Sequence, residues 1–355
     1  MSQAKTPASR ARAVACVMTF SMLLTSSTAA LADTLVVANK GENTVSMLDL
    51  ATGEVAATLP TGEGPHEVAV SPDGKQALIT DYGRRGAPGN TLTHIALDPP
   101  RVLATIDLGE YHRPHGIAYL DADTVVVTAE DNQALIVVDV AAGKVTQAIA
   151  TEQEISHMLA LDRAGQRVFV ANIGSGSITA IDLASASRRA NVPTGDGAEG
   201  VAVSADGSQV WVTNRAAGSI TVLDAETLEA TATLESPGFP IRATATPDGR
   251  ILVTRARAGD MVVYAPDPPK EARTIEFDLE AKDVEDRLFG DRFGDSSVPI
   301  GVVVDGPGRR AWIAHANADV ITEVDLESGD TTRTLTAGRE PDGMAWTGIS
   351  TPAER

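Results

Sequence analysis

Residues 199–239 read EGVAVSADGSQVWVTNRAAGSITVLDAETLEATATLESPGF. Val201-Ala202-Val203 opens as a short apolar strand. Ser204-Ala205-Asp206-Gly207 then closes a tight turn, because Gly accepts positive φ and Asp bonds its own backbone. Val210 to Thr213 reads as a second strand, Asn214 to Gly218 as a turn, Ile220 to Asp224 as a third strand and Ala230 to Leu234 as a fourth. Alternating β-branched residues bounded by Gly, Asn, Asp and Pro predict strands and not helices. The same grammar returns as SPDGKQALITD from Ser71, DRAGQRVFVAN from Asp162, TPDGRILVTR from Thr246 and DGPGRRAWIAH from Asp305.

Aligned on its first residue, the unit starts at His66, His115, His157, Glu199, Ile241, Ile300 and Asp342, in steps of 49, 42, 42, 42, 59 and 42. The two long steps are the 42-residue period plus insertions of 7 and 17. A fixed period of this length with four strands per unit is the signature of a β-propeller. Seven starts predict an all-β, seven-bladed β-propeller with four antiparallel strands per blade, forming a single domain over 33–355. Thr34 to Asn39 aligns with a second strand and Pro341 to Thr347 with a first strand. Blade 1 is therefore expected to be built from both termini, which closes the ring and leaves no open sheet edge there.

VAVSPDGKQALITD and VAVSADGSQVWVTNRAAGSITVLDAETLEATATL resemble the YVTN-type, YncE-like β-propeller repeat. The resemblance runs from about residue 34 to 347 and implies the fold. It implies little about activity, because such propellers serve many roles. Lactonase-type propellers are similar at a greater distance. No GH…WD pairing occurs, which excludes a WD40 reading.

Residues 1–32 read as a secretory signal peptide: Lys5, Arg10 and Arg12 precede the apolar stretch Ala13 to Leu24, and Ala30-Leu31-Ala32 offers a cleavage site before Asp33. The apolar stretch is too short to span a membrane. Cys16 is the one cysteine, so the mature chain carries no disulfide and no thiolate ligand. A bacterial periplasm is the expected compartment, and a monomer the expected state. Loss of the three basic residues takes the formal charge from −19 to −22. Such a surface repels nucleic acid and anionic membranes, so DNA binding is not carried over from YncE-like relatives.

In a propeller the first strand of each blade lines the central channel. Asp342, His66, His115, His157 and Glu199 should then form a contiguous polar arc at one mouth, closed by Ile241 and Ile300. Three of the six histidines share this single register position. Imidazoles flanked by carboxylates suit a divalent metal, here zinc, copper or iron. The alternative is a solvated lining in which the histidines bond only water and carbonyls. Arg242 and His112 are nearby candidates for ligand contact, with a surface ion pair as the other reading of Arg242. Glu199 and Asp342 are the candidate bases if the site is catalytic. His315 takes a turn position, His94 a structural one, and Gly116, Gly200, Gly301 and Gly343 let backbones approach near the axis.

The first insertion, around Arg84 to Asn90, reads as a flexible loop. The second falls in blade 6 at 281–298, AKDVEDRLFGDRFGDSSV, with a short helix expected over 281–289 and a lid over the arc as one role. Three functions remain open: a periplasmic propeller binding a divalent metal or small ligand, a lactonase-like or metal-dependent enzyme at the same place, and a scaffold for a periplasmic redox partner. No serine elbow, phosphate loop, HExxH, CxxC or CxxCH occurs in residues 33–355.

Overall fold

A computed structural model describes residues 1–3, 33–162, 164–282, 287 and 289–348. Of the expected signal peptide, 4–32 lie outside the described residues. The chain divides into a unit Met1–Ala30 and a unit Leu31–Arg355, and the second holds seven four-stranded antiparallel sheets. No helix occurs among the described residues. The core of the expected helix, 283–286 and 288, lies outside them.

Blade 1 pairs Pro341–Thr347 with Thr34–Asn39, in the register Thr34↔Thr347 to Val37↔Met344. The two ends of the chain thus close the ring as expected. The inner strands of blades 2 to 7 are Pro65–Val70, Pro114–Tyr119, Ser156–Leu161, Ala198–Val203, Pro240–Ala245 and Pro299–Val304. Each inner strand contacts the next around the full circle, including blade 7 with blade 1.

Apolar residues on both faces of the second and third strands fill the gaps between blades. Each of the seven blade junctions carries its own core. Leu35, Leu48, Trp312 and Ile321 seal blades 7 and 1, and Trp211, Ile220, Val253 and Tyr264 seal blades 5 and 6. An eighth cluster lies at the mouth and joins Phe239, Ile241 and Ile300 to Phe293 and Val298 of the second insertion.

The first insertion is not a loose loop. It lengthens the central hairpin of blade 2, whose strands are Gln76–Arg84 and Ala87–Leu97. Gly83 pairs with Pro88 and Arg84 with Ala87, and Gly86 turns the chain at φ 80°. The polar, Gly-rich composition suggested a loop, but Gly83 and Gly89 allow a backbone approach that a Cβ would block.

Candidate metal centre at the channel mouth

Each inner strand begins with one residue before the axis, and its second residue is the ring residue. That second residue is Asp342, His66, His115, His157, Glu199, Ile241 or Ile300 in blades 1 to 7. Two residues earlier the chain turns through positive φ in every blade, at Gly64, Arg113, Ile155, Gly197, Phe239, Val298 and Glu340. This shared kink brings seven separate strands to the mouth at one level. The residue after the ring position is Gly in four blades. A Cβ on Gly343 would lie 2.2 Å from the His66 carbonyl oxygen, and one on Gly301 would lie 2.0 Å from that of Asp342. Bare backbone there lets neighbouring blades close on the axis.

The three imidazoles lie side by side, tilted against His115 by 55° and 37°. The ring of His115 is 4.0 Å from that of His66 and 3.5 Å from that of His157, centre to centre. His115 is fully buried, and neither of its ring nitrogens has a hydrogen-bond partner. An imidazole so placed lacks the bonds that buried polar groups almost always make. The ligand atoms of His66, Glu67 and His115 lie within 4.8 Å of one another, as do those of His115, Glu130 and His157.

Charged partners hold the outer two rings. His66 Nε2 lies 2.7 Å from Lys40 Nζ, and its Nδ1 lies 2.8 Å from Asp342 Oδ2, at an angle too poor for a hydrogen bond. His157 meets Glu130 through Nδ1 and Glu199 through Nε2, the latter at 3.3 Å. Arg215 donates to Glu199 Oε2 at 2.6 Å. Tyr82 donates to Glu130 Oε2 at 2.5 Å and stands edge-on to His66. Arg242, one reading of which was a surface ion pair, is instead buried at the centre. It binds Glu67 and lies 3.8 Å from Glu199 and 3.7 Å from Asp342. Its position next to the ring residue turns it toward the axis, where four carboxylates gather.

Burial and charge set the protonation states. Burial pushes the His66 imidazole down to about 4, against the pull of Asp342. Burial also holds His115 well below the usual histidine range, helped by the neighbouring imidazoles. Burial opposes the charged form of His157 too, but Glu130 and Glu199 outweigh it and raise that group. Desolvation works against ionised Glu199, yet His157 and Arg215 hold it below the ordinary glutamate value. Asp342 is likewise held low, against burial, by His66, Lys40 and Arg242. Carboxylates so stabilised take up protons reluctantly, which suits them to orienting charge better than to general-base work. Burial lowers the Lys40 ammonium.

His66, His157, Glu199, Asp342, Arg242 and their charged partners wall a cavity of about 250 Å³, and His115 is buried off its wall. Ile155, Ile173, Ile241, Ile300 and Phe289 supply its apolar side. Phe289 comes from the second insertion, whose Phe293 packs on Phe239 with ring centres 4.9 Å apart. The insertion is therefore anchored at the mouth. His112 is not on the cavity wall; its backbone nitrogen donates to Asn132. His315 bonds Ser297 and Thr322, and His94 bonds Gln76, so both have structural partners.

Lys40, Tyr82, Glu130 and Arg215 were not anticipated. They occupy one register position, the residue just past the second strand in blades 1, 3 and 5 and the equivalent place within the lengthened strand of blade 2, with Ile173 there in blade 4. That periodicity is in the sequence, one position beyond the Asn39, Asn172 and Asn214 turn slot. Glu67 carried no such signal, because it stands where four of the other six blades have Gly.

A YncE-like β-propeller family model matches residues 25–125, and a cytochrome D1 heme domain model matches residues 120–285. The resemblance to YncE-like propellers is thus borne out. No curated protein matches the chain. Among solved structures it is similar to a functionally unknown protein from Desulfotomaculum acetoxidans, with TM-score 0.71 and 14% identity over 90% of this chain and 99% of that one. It is also similar to the periplasmic gluconolactonase of Pseudomonas aeruginosa, with TM-score 0.69 and 18% identity over 89% and 99% of the two chains. Hydrazine synthase of Kuenenia stuttgartiensis gives TM-score 0.61 and 17% identity over 74% and 77%. At these identities the likeness shows the fold alone.

Proposed function

We propose that this propeller binds one divalent transition metal at the channel mouth, with His66, His115 and His157 as ligands. The supporting observation is His115, a buried imidazole whose two nitrogens have no partner. Leaving such a group without bonds costs about 1–3 kcal/mol, and a metal bond removes that cost. Glu67 or Glu130 completes the set, since each has an oxygen close to a histidine pair. In this reading Glu199 and Asp342 stand behind His157 and His66 and orient them, as carboxylates behind metal-bound histidines commonly do. To hold a metal, His66 Nε2 would have to part from the Lys40 ammonium and His157 would have to give up its proton. Binding therefore releases protons and strengthens with pH. An imidazole-rich set selects zinc, copper or iron over magnesium or calcium. The expected N-terminal signal segment and the cysteine-free remainder of the chain support a periplasmic location for a single domain from 33 to 355.

The test is elemental analysis of untagged protein purified from periplasm without chelator. About one equivalent of metal in wild type, and none in a folded His115→Ala variant, is the expected result. Wild type that stays metal-free after incubation with zinc, copper and iron in turn would overturn the reading.

A further inference from the structure

Beside the histidine chamber lies a second, larger cavity of about 850 Å³, and Lys40 and Tyr82 belong to the walls of both. Its wall carries Lys40, Arg84, Arg85, Arg113 and Arg287 against only two acids, Glu63 and Glu340. This concentration of cations stands out in a chain of formal charge −19. The cations come from separate elements. Arg84 and Arg85 sit at the tip of the lengthened hairpin of blade 2. Arg113 follows from the kink two residues before His115, in a left-handed conformation with φ 55° that glycine would adopt more cheaply. Arg287 belongs to the second insertion, clamped by Asp319 at 2.7 and 2.8 Å. Arg113 stacks over Tyr82 at 4.9 Å and pairs with Asp131 at 3.4 Å, and Arg84 meets Glu63 at 3.0 Å. Arg85 is exposed and makes no hydrogen bond or ion pair among the described residues.

We propose that this groove is an anion subsite and that it takes a small organic polycarboxylate. Guanidinium forks match carboxylates in geometry as well as charge. The cavity has the volume of a small-molecule site and not of a protein interface. Tyr82 on the groove wall offers an apolar ring to a carbon skeleton, which inorganic phosphate lacks. The subsite stands independently of a metal at His115.

Calorimetric titration of metal-free protein with tricarballylate at low ionic strength tests this. One equivalent should bind to wild type. The Arg84→Gln/Arg85→Gln variant should bind at least about tenfold more weakly, the scale of one charge-assisted hydrogen bond. Arg188→Gln/Arg189→Gln, in the outer strand Ser187–Pro193 of blade 4, makes the same change of net charge and should bind like wild type. The His115→Ala variant should also keep the anion, so failure of the metal reading and failure of the subsite are distinguishable. Absence of binding, equal weakening in both arginine pairs, or phosphate binding as tightly as tricarballylate would each overturn the proposal.

Discussion

At the scale of single residues, the mouth holds side chains where the backbone would favour glycine. Ile155 has φ 57° and a side chain 42% exposed, although β-branched residues avoid that region. Left-handed geometry costs an L-residue about 1–2 kcal/mol, partly offset because glycine loses more chain entropy. Ile155→Gly should therefore raise stability by about 0.5–1 kcal/mol in denaturant titration. A loss of stability would show that the exposed isoleucine makes contacts worth more than its strain. Asp81 tells a related story. It occupies the slot of Asn39, Asn172 and Asn214, accepting from Gly62, Thr91 and Thr93. Burial raises its carboxyl to about 6, more than those bonds lower it. The fold favours the neutral form, so this stability is present below the unfolded value near 4 and is lost as pH rises through about 6. Asp81→Asn should be more stable than wild type at pH 7.5, by up to about 3 kcal/mol, and the gap should close toward pH 4. Thermal melts of the two proteins across that range give the comparison.

At the scale of elements, the ring rests on contacts between inner strands. A methyl group at Gly343 would meet the His66 carbonyl at 2.2 Å and Cα of Glu67 at 2.6 Å, both backbone atoms. Gly343→Ala should thus cost about 2–3 kcal/mol, as overpacking in a rigid interior does. Unchanged stability in urea would mean that the blades can part without cost. Strands and their ring residues were legible because a period of 42 repeats in turns, alternation and register. The hairpin of blade 2 was not, since Arg84 to Asn90 is polar and rich in turn residues whether it pairs or not. The surface reading of Arg242 fails because its partners Glu67, Glu199 and Asp342 come from three other blades. The second ring of Lys40, Tyr82, Glu130 and Arg215 was written in the same period, one residue beyond a position read as turn chemistry.

At the scale of the whole molecule, seven similar blades make a stable frame, and their differences gather at one mouth. There three histidines, four carboxylates and three cations gather, and the second insertion adds Phe289 and Phe293 beside them. No helix among the described residues is long and apolar enough to cross a membrane. The local sequence contains no metal motif because the three histidines belong to three different blades; only the packing of those blades brings them together. The most direct measurement is an anomalous difference map from crystals of zinc-reconstituted protein, collected at the zinc edge. One peak about 2.0–2.1 Å from a ring nitrogen of His115, within the His66, His115 and His157 cluster, is predicted. A map with its peaks only on the acidic surface, or with none, would contradict a metal centre at the channel mouth.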